Sequence, residues 1–240
     1  MLASCVIVGF VTVLMTHEPA ATTRPGGAWL RNSVIEPFAD FTQHRAWFAI
    51  LVFVLLYKLG DAIAANMAGP LYVTLGFTNP EIASITKVFG MAAAIVGVFL
   101  GGLLVARAGI MRALLVGGVV QALSILMYIV QFWAGHDLLA LGFTIAIENI
   151  TTGIGSAAFV AYLSSLCSRA FTATQYALLS ALASVARIAI GASGGWLADH
   201  FGWTPFFLIA TAACVPGLAL LLWLMHRAGS DTPPAAALAE

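Results

Sequence analysis

Six long, nearly unbroken apolar stretches and a shorter seventh leave this chain almost nowhere to fold except within a lipid bilayer. They are Met1–Thr16, Trp47–Gly69, Ile82–Ala106, Ala113–Trp133, Leu138–Cys167, Gln175–Ala198 and Trp203–His226. A spanning helix needs about 20 mostly apolar residues, and only the first stretch falls short of that. Because the runs are continuous and do not alternate, they predict helices and not barrel strands. Of the 240 residues 61% are hydrophobic and 8% charged, and mean hydropathy is +1.00. A soluble domain carries about 25% charged residues, so a soluble enzyme, a nucleic-acid-binding domain and a disordered tail are all excluded. The expected fold is all-α and polytopic, with seven transmembrane helices in contact with lipid.

Ten Lys and Arg balance ten Asp and Glu, so nothing points to a nucleic acid or another polyanion as partner. Cys5, Cys167 and Cys214 form no CxxC, and no histidine stands at metal-ligand spacing. The cysteines read as small apolar fillers, with no metal and no cofactor expected.

The connections set an orientation. Arg24, Arg31, Arg45, Arg107, Arg112, Arg169 and Arg227 all fall in alternate connections and so on one side of the membrane, whereas Thr78–Glu81, Gly135–Asp137 and Asp199–Gly202, on the other side, hold no Lys or Arg. By the positive-inside rule the arginine side is cytoplasmic, which puts the start of the chain in the periplasm and its end in the cytoplasm. A signal peptide over Met1–Thr16 is disfavoured because no basic segment precedes it. The short first helix reads instead as the end of an element that begins before this chain. Residues 17–46, with Pro19, Pro25 and Pro37, form a cytoplasmic linker of a length that usually marks a boundary. Residues 227–240 read as a disordered cytoplasmic tail.

An internal repeat divides the rest. The stretch from Gly101 and Gly102 through Arg107 to Gly109 recurs 93 residues later as Gly194 and Gly195 through Asp199 to Gly202, with four of nine positions identical. Arg112 follows the first copy. Gly97 and Gly101, like Gly191 and Gly195, stand four apart, a spacing that lets helix backbones approach closely in lipid. The offset spans three helices, so residues 47–133 and 138–226 form two three-helix repeats. An odd number of helices per unit inverts the second against the first, as in transporter halves.

Five ionisable residues fall inside spans: Lys58, Asp61, Lys87, Glu148 and Arg187. Each costs about 2.5–3.5 kcal/mol at the bilayer centre on insertion scales, so they face protein or water. Lys58 and Asp61 are three apart and share a helix face, which suits a pair. Glu148, followed by Asn149, has no charged neighbour in its own helix and can take a proton on one side and release it on the other. The first, fourth and seventh helices carry no mid-membrane charge and are expected to be lipid-facing supports. Summed with both carboxylates ionised, the five sites carry +1, which suits an anionic solute.

Two motifs are decoys. Gly191-Ala192-Ser193-Gly194 matches the GxSG form of intramembrane serine proteases, but no span interior holds the histidine that chemistry needs. Seven helices with buried lysines also suggest a retinal protein, yet the last helix has no lysine.

The paired glycine turns resemble the loop signature of the major facilitator superfamily. More specifically, the chain resembles the anhydromuropeptide permeases of that superfamily. The stretches that carry the likeness are Tyr57-Lys58-Leu59-Gly60-Asp61, Arg112-Ala113-Leu114-Leu115, Glu148-Asn149, Gly153-x-Gly155 leading to Ala158-Phe159-Val160-Ala161, Leu166-Cys167, and Ala173-Thr174-Gln175-Tyr176-Ala177-Leu178-Leu179-Ser180-Ala181-Leu182. One departure is Ala106, where the superfamily loop usually has Asp. The resemblance implies two six-helix bundles around a cavity, with this chain as the carboxy-terminal bundle plus the last helix of an amino-terminal half otherwise missing. It also implies proton-driven import of anhydromuropeptides for cell-wall recycling across the bacterial inner membrane. Glu148 and Asp61 are then the proton-coupling residues, and Lys58, Asn149, Arg187, Lys87 and Gln175 the cavity residues. The competing readings are a membrane fragment that does not transport, and a related transporter of another peptide, a sugar or an acyl-CoA.

Overall fold

The computed structural model describes residue 42 and residues 47–167, 172–191 and 194–230. The expected helix over residues 1–16, nearly all of the 17–46 linker and the tail beyond residue 230 lie outside the described residues. The rest is α-helical: α1 (Trp47–Tyr57), α2 (Leu59–Thr74), α3 (Asn79–Ile85), α4 (Met91–Ala108), α5 (Ile110–Ala134), α6 (Leu138–Leu166), α7 (Thr172–Gly191), α8 (Gly194–Phe201), α9 (Trp203–Ala212) and α10 (Val215–Ser230). A π-helical turn, Thr86–Gly90, joins α3 to α4. Taken end to end these make five runs long and apolar enough to cross a membrane, at Trp47–Thr74, Asn79–Ala108, Ile110–Ala134, Leu138–Leu166 and Trp203–Arg227, plus a shorter apolar segment at Ala173–Val185. In hydrocarbon every backbone polar group must be satisfied within the chain, which is why apolar runs of this length take the helical form.

Two spans that read as continuous helices are broken. Lys58 interrupts the first with φ −99° and ψ 6°, and the last is interrupted at Ala213 and Cys214. Pro216 accounts for the second break, because it has no N–H to return to the preceding turn. The two breaks meet. Gly60, just past Lys58, lies directly against Ala210 and Cys214, and Gly217 lies against Leu56. The first span also runs past its expected end at Gly69, with Pro70 inside α2. The second span starts earlier than expected, at Asn79, where the backbone N–H and hydroxyl of Thr78 both donate to the Glu81 carboxylate, at 2.8 and 2.7 Å.

Helix α6 runs through the middle, packed along both α4 and α5. Glycines set these crossings. A methyl group on Gly101 would stand 2.8 Å from the Ile154 backbone, and one on Gly153 would stand 2.8 Å from that of Gly97 and Val98. In the second copy Gly194, the counterpart of Gly101, faces Met67, and Gly195, like Gly102, faces open space. The turns of the two copies do agree. Gly109 and Gly202 have φ of 82° and 78°, a left-handed conformation that costs a side-chain-bearing residue about 1 kcal/mol or more and glycine almost nothing.

The expectation that the fourth helix is a peripheral support is not met. In the apolar stretch of Ile110–Ala134 56% of the residues are buried, against 22% in that of Asn79–Ala108. Ala113, Gly117, Gly118 and Ala122 present so little bulk that neighbouring helices close over it.

Two apolar clusters fill the bundle at different depths. One gathers Tyr72, Phe77, Tyr128, Leu141, Phe206 and Phe207. The other gathers Phe53, Tyr57, Leu114, Phe159, Tyr162 and Leu221. Along α2, α5 and α6 the polar side chains fall between them.

Candidate functional site

At 1.5 Å per residue Gln121 and Glu148 lie roughly 15–17 Å along α5 and α6, close to half of a ~30 Å hydrocarbon core. The break at Lys58 brings a cation to the same depth, and the first turn of α2 brings Asp61. Lys58 Nζ stands 3.6 Å from the Asp61 carboxylate, with both side chains about one-sixth exposed. This is the pair that the three-residue spacing suggests. Lys58 also donates to Gln121 Oε1 and to Ser156 Oγ, each at 3.1 Å. Gln121 Nε2 in turn donates to Thr152 Oγ1 at 3.0 Å, and the Thr152 hydroxyl donates to Glu148 Oε1 at 3.1 Å. The two acidic residues are therefore linked through one ion pair, at Asp61, and three hydrogen bonds that run in a chain from Lys58 to Glu148.

Beside this chain lies an open cavity of about 250 Å³ between the α1–α2 break, α6 and α7. Lys58, Asp61, Thr152, Ser156, Tyr176, Ser180 and Ser184 supply its polar lining, and Phe159, Val160, Leu163 and Ala183 the rest. Hydroxyls with a cation, a carboxylate and two aromatic rings can bind a solute rich in hydroxyl and amide groups. Glu148 does not line the cavity. It stands behind Thr152.

The other sequence candidates scatter. Lys87 is exposed on the π-helical turn and forms no hydrogen bond or ion pair among the described residues. Asn149 donates to its own helix at Ile145 O, 2.8 Å, and faces Gly90, because one residue turns an α-helix by about 100°. Gln175 is buried, at 2% exposure, but does not line the cavity. Arg187 belongs to α7, and its side chain lies outside the described residues. The described cluster holds one cation, Lys58, and two carboxylates, Asp61 and Glu148, and Lys87 makes no bond to it.

In the loop motif, Arg107, Arg112 and Asp199 are exposed and Gly102 meets open space. Arg112 borders a second hollow of about 440 Å³ with Tyr162, Ser165 and Met225. At the opposite end of the bundle His136 Nε2 lies 3.7 Å from the Glu81 carboxylate, and the His136 ring packs on Phe77 at 4.3 Å.

Sequence reasoning passed over Gln121, Thr152, Ser156, Tyr176, Ser180 and Ser184 as site residues. A signal existed for two of them. Thr152 and Ser156 follow Glu148 at four and eight residues, on one helix face.

Comparison with known proteins fits this geometry. The family model described as Major Facilitator Superfamily matches residues 50–240. The anhydromuropeptide permease of Escherichia coli (strain K12) is 38% identical over 224 residues, which is 92% of this chain and 45% of that protein. The putative transporter AmpG 4 of Rickettsia conorii is 37% identical over 200 residues, covering 82% of this chain and 47% of the relative. The putative transporter AmpG 3 of Rickettsia prowazekii is 42% identical over 216 residues, covering 85% and 51%. The chain thus spans about half the length of the curated relatives it matches. An all-helical membrane protein with paired glycine turns and a mid-depth polar cluster, matched by the family model over most of its length, it belongs to the major facilitator superfamily, a family of transporters and not of enzymes.

Proposed function

We propose that this chain takes part in the import of anhydromuropeptides across the bacterial inner membrane, as one bundle of a two-bundle permease. The observation that carries the reading is the mid-depth cluster of Lys58, Asp61 and Glu148 beside a hydroxyl-lined cavity, in a chain 38% identical to an anhydromuropeptide permease. Ionisable side chains at that depth are costly and by default functional. Proton coupling falls to Glu148 and Asp61. Lys58 and Arg187 would receive the anionic part of the solute, and the cavity hydroxyls its sugar and peptide groups.

In this reading residues 47–133 and 138–226 form the two inverted repeats, the arginine-bearing end faces the cytoplasm, and a second bundle closes over the cavity. Alternating access is then the rocking of one bundle against the other around a site at their interface. The matched span of about half of each relative supports a division of labour of this kind.

The test is uptake of labelled anhydromuropeptide into proteoliposomes under an inward proton gradient. Three samples are compared: this chain alone, an amino-terminal bundle from an anhydromuropeptide permease alone, and the two co-expressed. Saturable, gradient-dependent uptake is expected only from the co-expressed pair. Uptake by this chain without a second bundle, or a pair that carries an unrelated solute and no muropeptide, would overturn the reading.

A further inference from the structure

The buried polar side chains form a chain with a direction, and proton exchange at two carboxylates does not by itself account for its two neutral members. Lys58 donates to Gln121, Gln121 donates to Thr152, and Thr152 donates to Glu148. All three donor groups point the same way, from the ammonium toward the carboxylate. An amide and a hydroxyl are groups that can accept and donate at once, which a link between unlike charges requires. Hydrogen bonds aligned in this way polarise one another in a medium of low dielectric. At its other side Lys58 meets Asp61 at 3.6 Å, so among the described residues one cation stands between two carboxylates.

The backbone is shaped to admit this chain. Helices α5 and α6 cross where a methyl group on Gly117 would stand 3.1 Å from Gly155, and one on Gly155 would stand 2.6 Å from the Gln121 amide oxygen. Gln121 is 4% exposed, so its amide has the chain in place of water. Among the described residues the charged groups acting on Glu148 are Asp61 and Lys58. Tyr72 of α2 and Tyr128 of α5 are the other titratable side chains within its electrostatic reach, and the Arg187 side chain on α7 lies outside the described residues.

We propose that Gln121 and Thr152 are positioning residues that make Lys58 the counter-ion of Glu148 as well as of Asp61, so that a proton arriving at either carboxylate is felt at the other. This rests on the reading that Glu148 and Asp61 exchange protons during transport. It adds that they do so as one unit, held together by two side chains that never titrate.

The experiment uses the 240-residue chain in vesicles of phosphatidylethanolamine and phosphatidylglycerol, with dicyclohexylcarbodiimide as probe. This apolar reagent modifies protonated carboxyl groups in membranes, and mass spectrometry reads the adduct on Glu148. Removing a hydrogen bond that favours the ionised carboxylate raises the protonated share at fixed pH. At alkaline pH, where the ionised form dominates, Thr152→Val and Gln121→Leu should therefore each raise the labelling rate of Glu148 about tenfold, the scale of a hydrogen bond to a charged group. Thr152→Ser keeps the hydroxyl and should stay within about twofold of the parent chain by the same reasoning. Unchanged labelling in Thr152→Val would overturn the proposal, as would a Thr152→Ser rate equal to that of Thr152→Val. If Gln121→Leu fails to insert, the two Thr152 variants decide alone. Labelling needs no solute and no second bundle. A failed uptake experiment with this labelling pattern intact therefore rejects muropeptide transport and not the linked carboxylates.

Discussion

A methyl group added to Gly155 would stand 2.6 Å from the amide oxygen of Gln121, so the absence of a side chain on α6 is what lets Gln121 lie across it. That oxygen is the acceptor for Lys58, which makes Gly155 a part of the polar chain although it has no polar side chain.

Gly155→Ala should insert and fold, because the atom it strikes is the end of a side chain. Gln121 then has to leave Lys58, Thr152 or both. Stability in detergent should fall by about 1–3 kcal/mol, as for other overpacked sites, and gradient-driven uptake by the assembled permease should fall with it. A melting scan and an uptake assay on the same preparation check this. Parent-level uptake would mean that the Gln121 amide is not needed where it stands.

Gly97→Ala and Gly102→Ala should separate cleanly. A methyl group on Gly97 runs into the Ile150 backbone, whereas one on Gly102 meets nothing within 4 Å. The first forces α4 off α6 and should sharply reduce the folded yield. The second should be neutral or stabilise by up to about 1 kcal/mol, the glycine-to-alanine difference within a helix. Size-exclusion profiles of the two variants read the contrast directly.

What could be read from residues alone follows a physical rule. Apolar runs announce membrane spans because a single property, summed over about 20 residues, decides them. The break at Lys58 is one residue wide and leaves no such sum. Asn149 was grouped with Glu148 because the two are adjacent in sequence, but adjacency on a helix turns side chains about 100° apart. Thr152, four residues on, is the true neighbour. Gln121 was hidden for a different reason: one amide in an apolar helix looks like packing until the residues opposite it are known. Lys58 and Asp61 were readable as a pair because their contact is local, at three residues' spacing.

Replacing either member of that pair with alanine leaves the other charge in the bundle without its ion-pair partner. Lys58→Ala or Asp61→Ala should each destabilise the protein by about 1–3 kcal/mol, less than for a fully buried pair, since both side chains keep some exposure. The double variant should recover part of the loss. Membrane-inserted yield and melting temperature of the four proteins complete the cycle, and strictly additive losses would show that the two charges do not interact.

Glu148→Gln keeps the shape of the site and removes its proton. In an assembled permease it should abolish accumulation driven by a proton gradient while leaving exchange of solute across the membrane. Accumulation that still follows the pH gradient would take Glu148 out of the coupling step.

An alkaline phosphatase fusion within Gly135–Asp137 should be active, and one after Arg227 inactive, if the arginine-bearing end faces the cytoplasm. The reverse pattern would turn the bundle over.

The layering of the bundle has an electrical consequence. The polar chain is capped toward one end by the cluster holding Tyr72, Tyr128 and Phe207 and toward the other by that holding Phe53, Tyr57 and Phe159. Among the described residues, these largely apolar layers separate the polar chain from either end of the bundle. Lys58, Asp61, Thr152 and Ser156 instead open sideways, into the cavity between α6 and α7. In the proposed two-bundle permease, the bundle that covers this flank would set which compartment the carboxylates sample, and the membrane potential would be drawn on only when that cover moves.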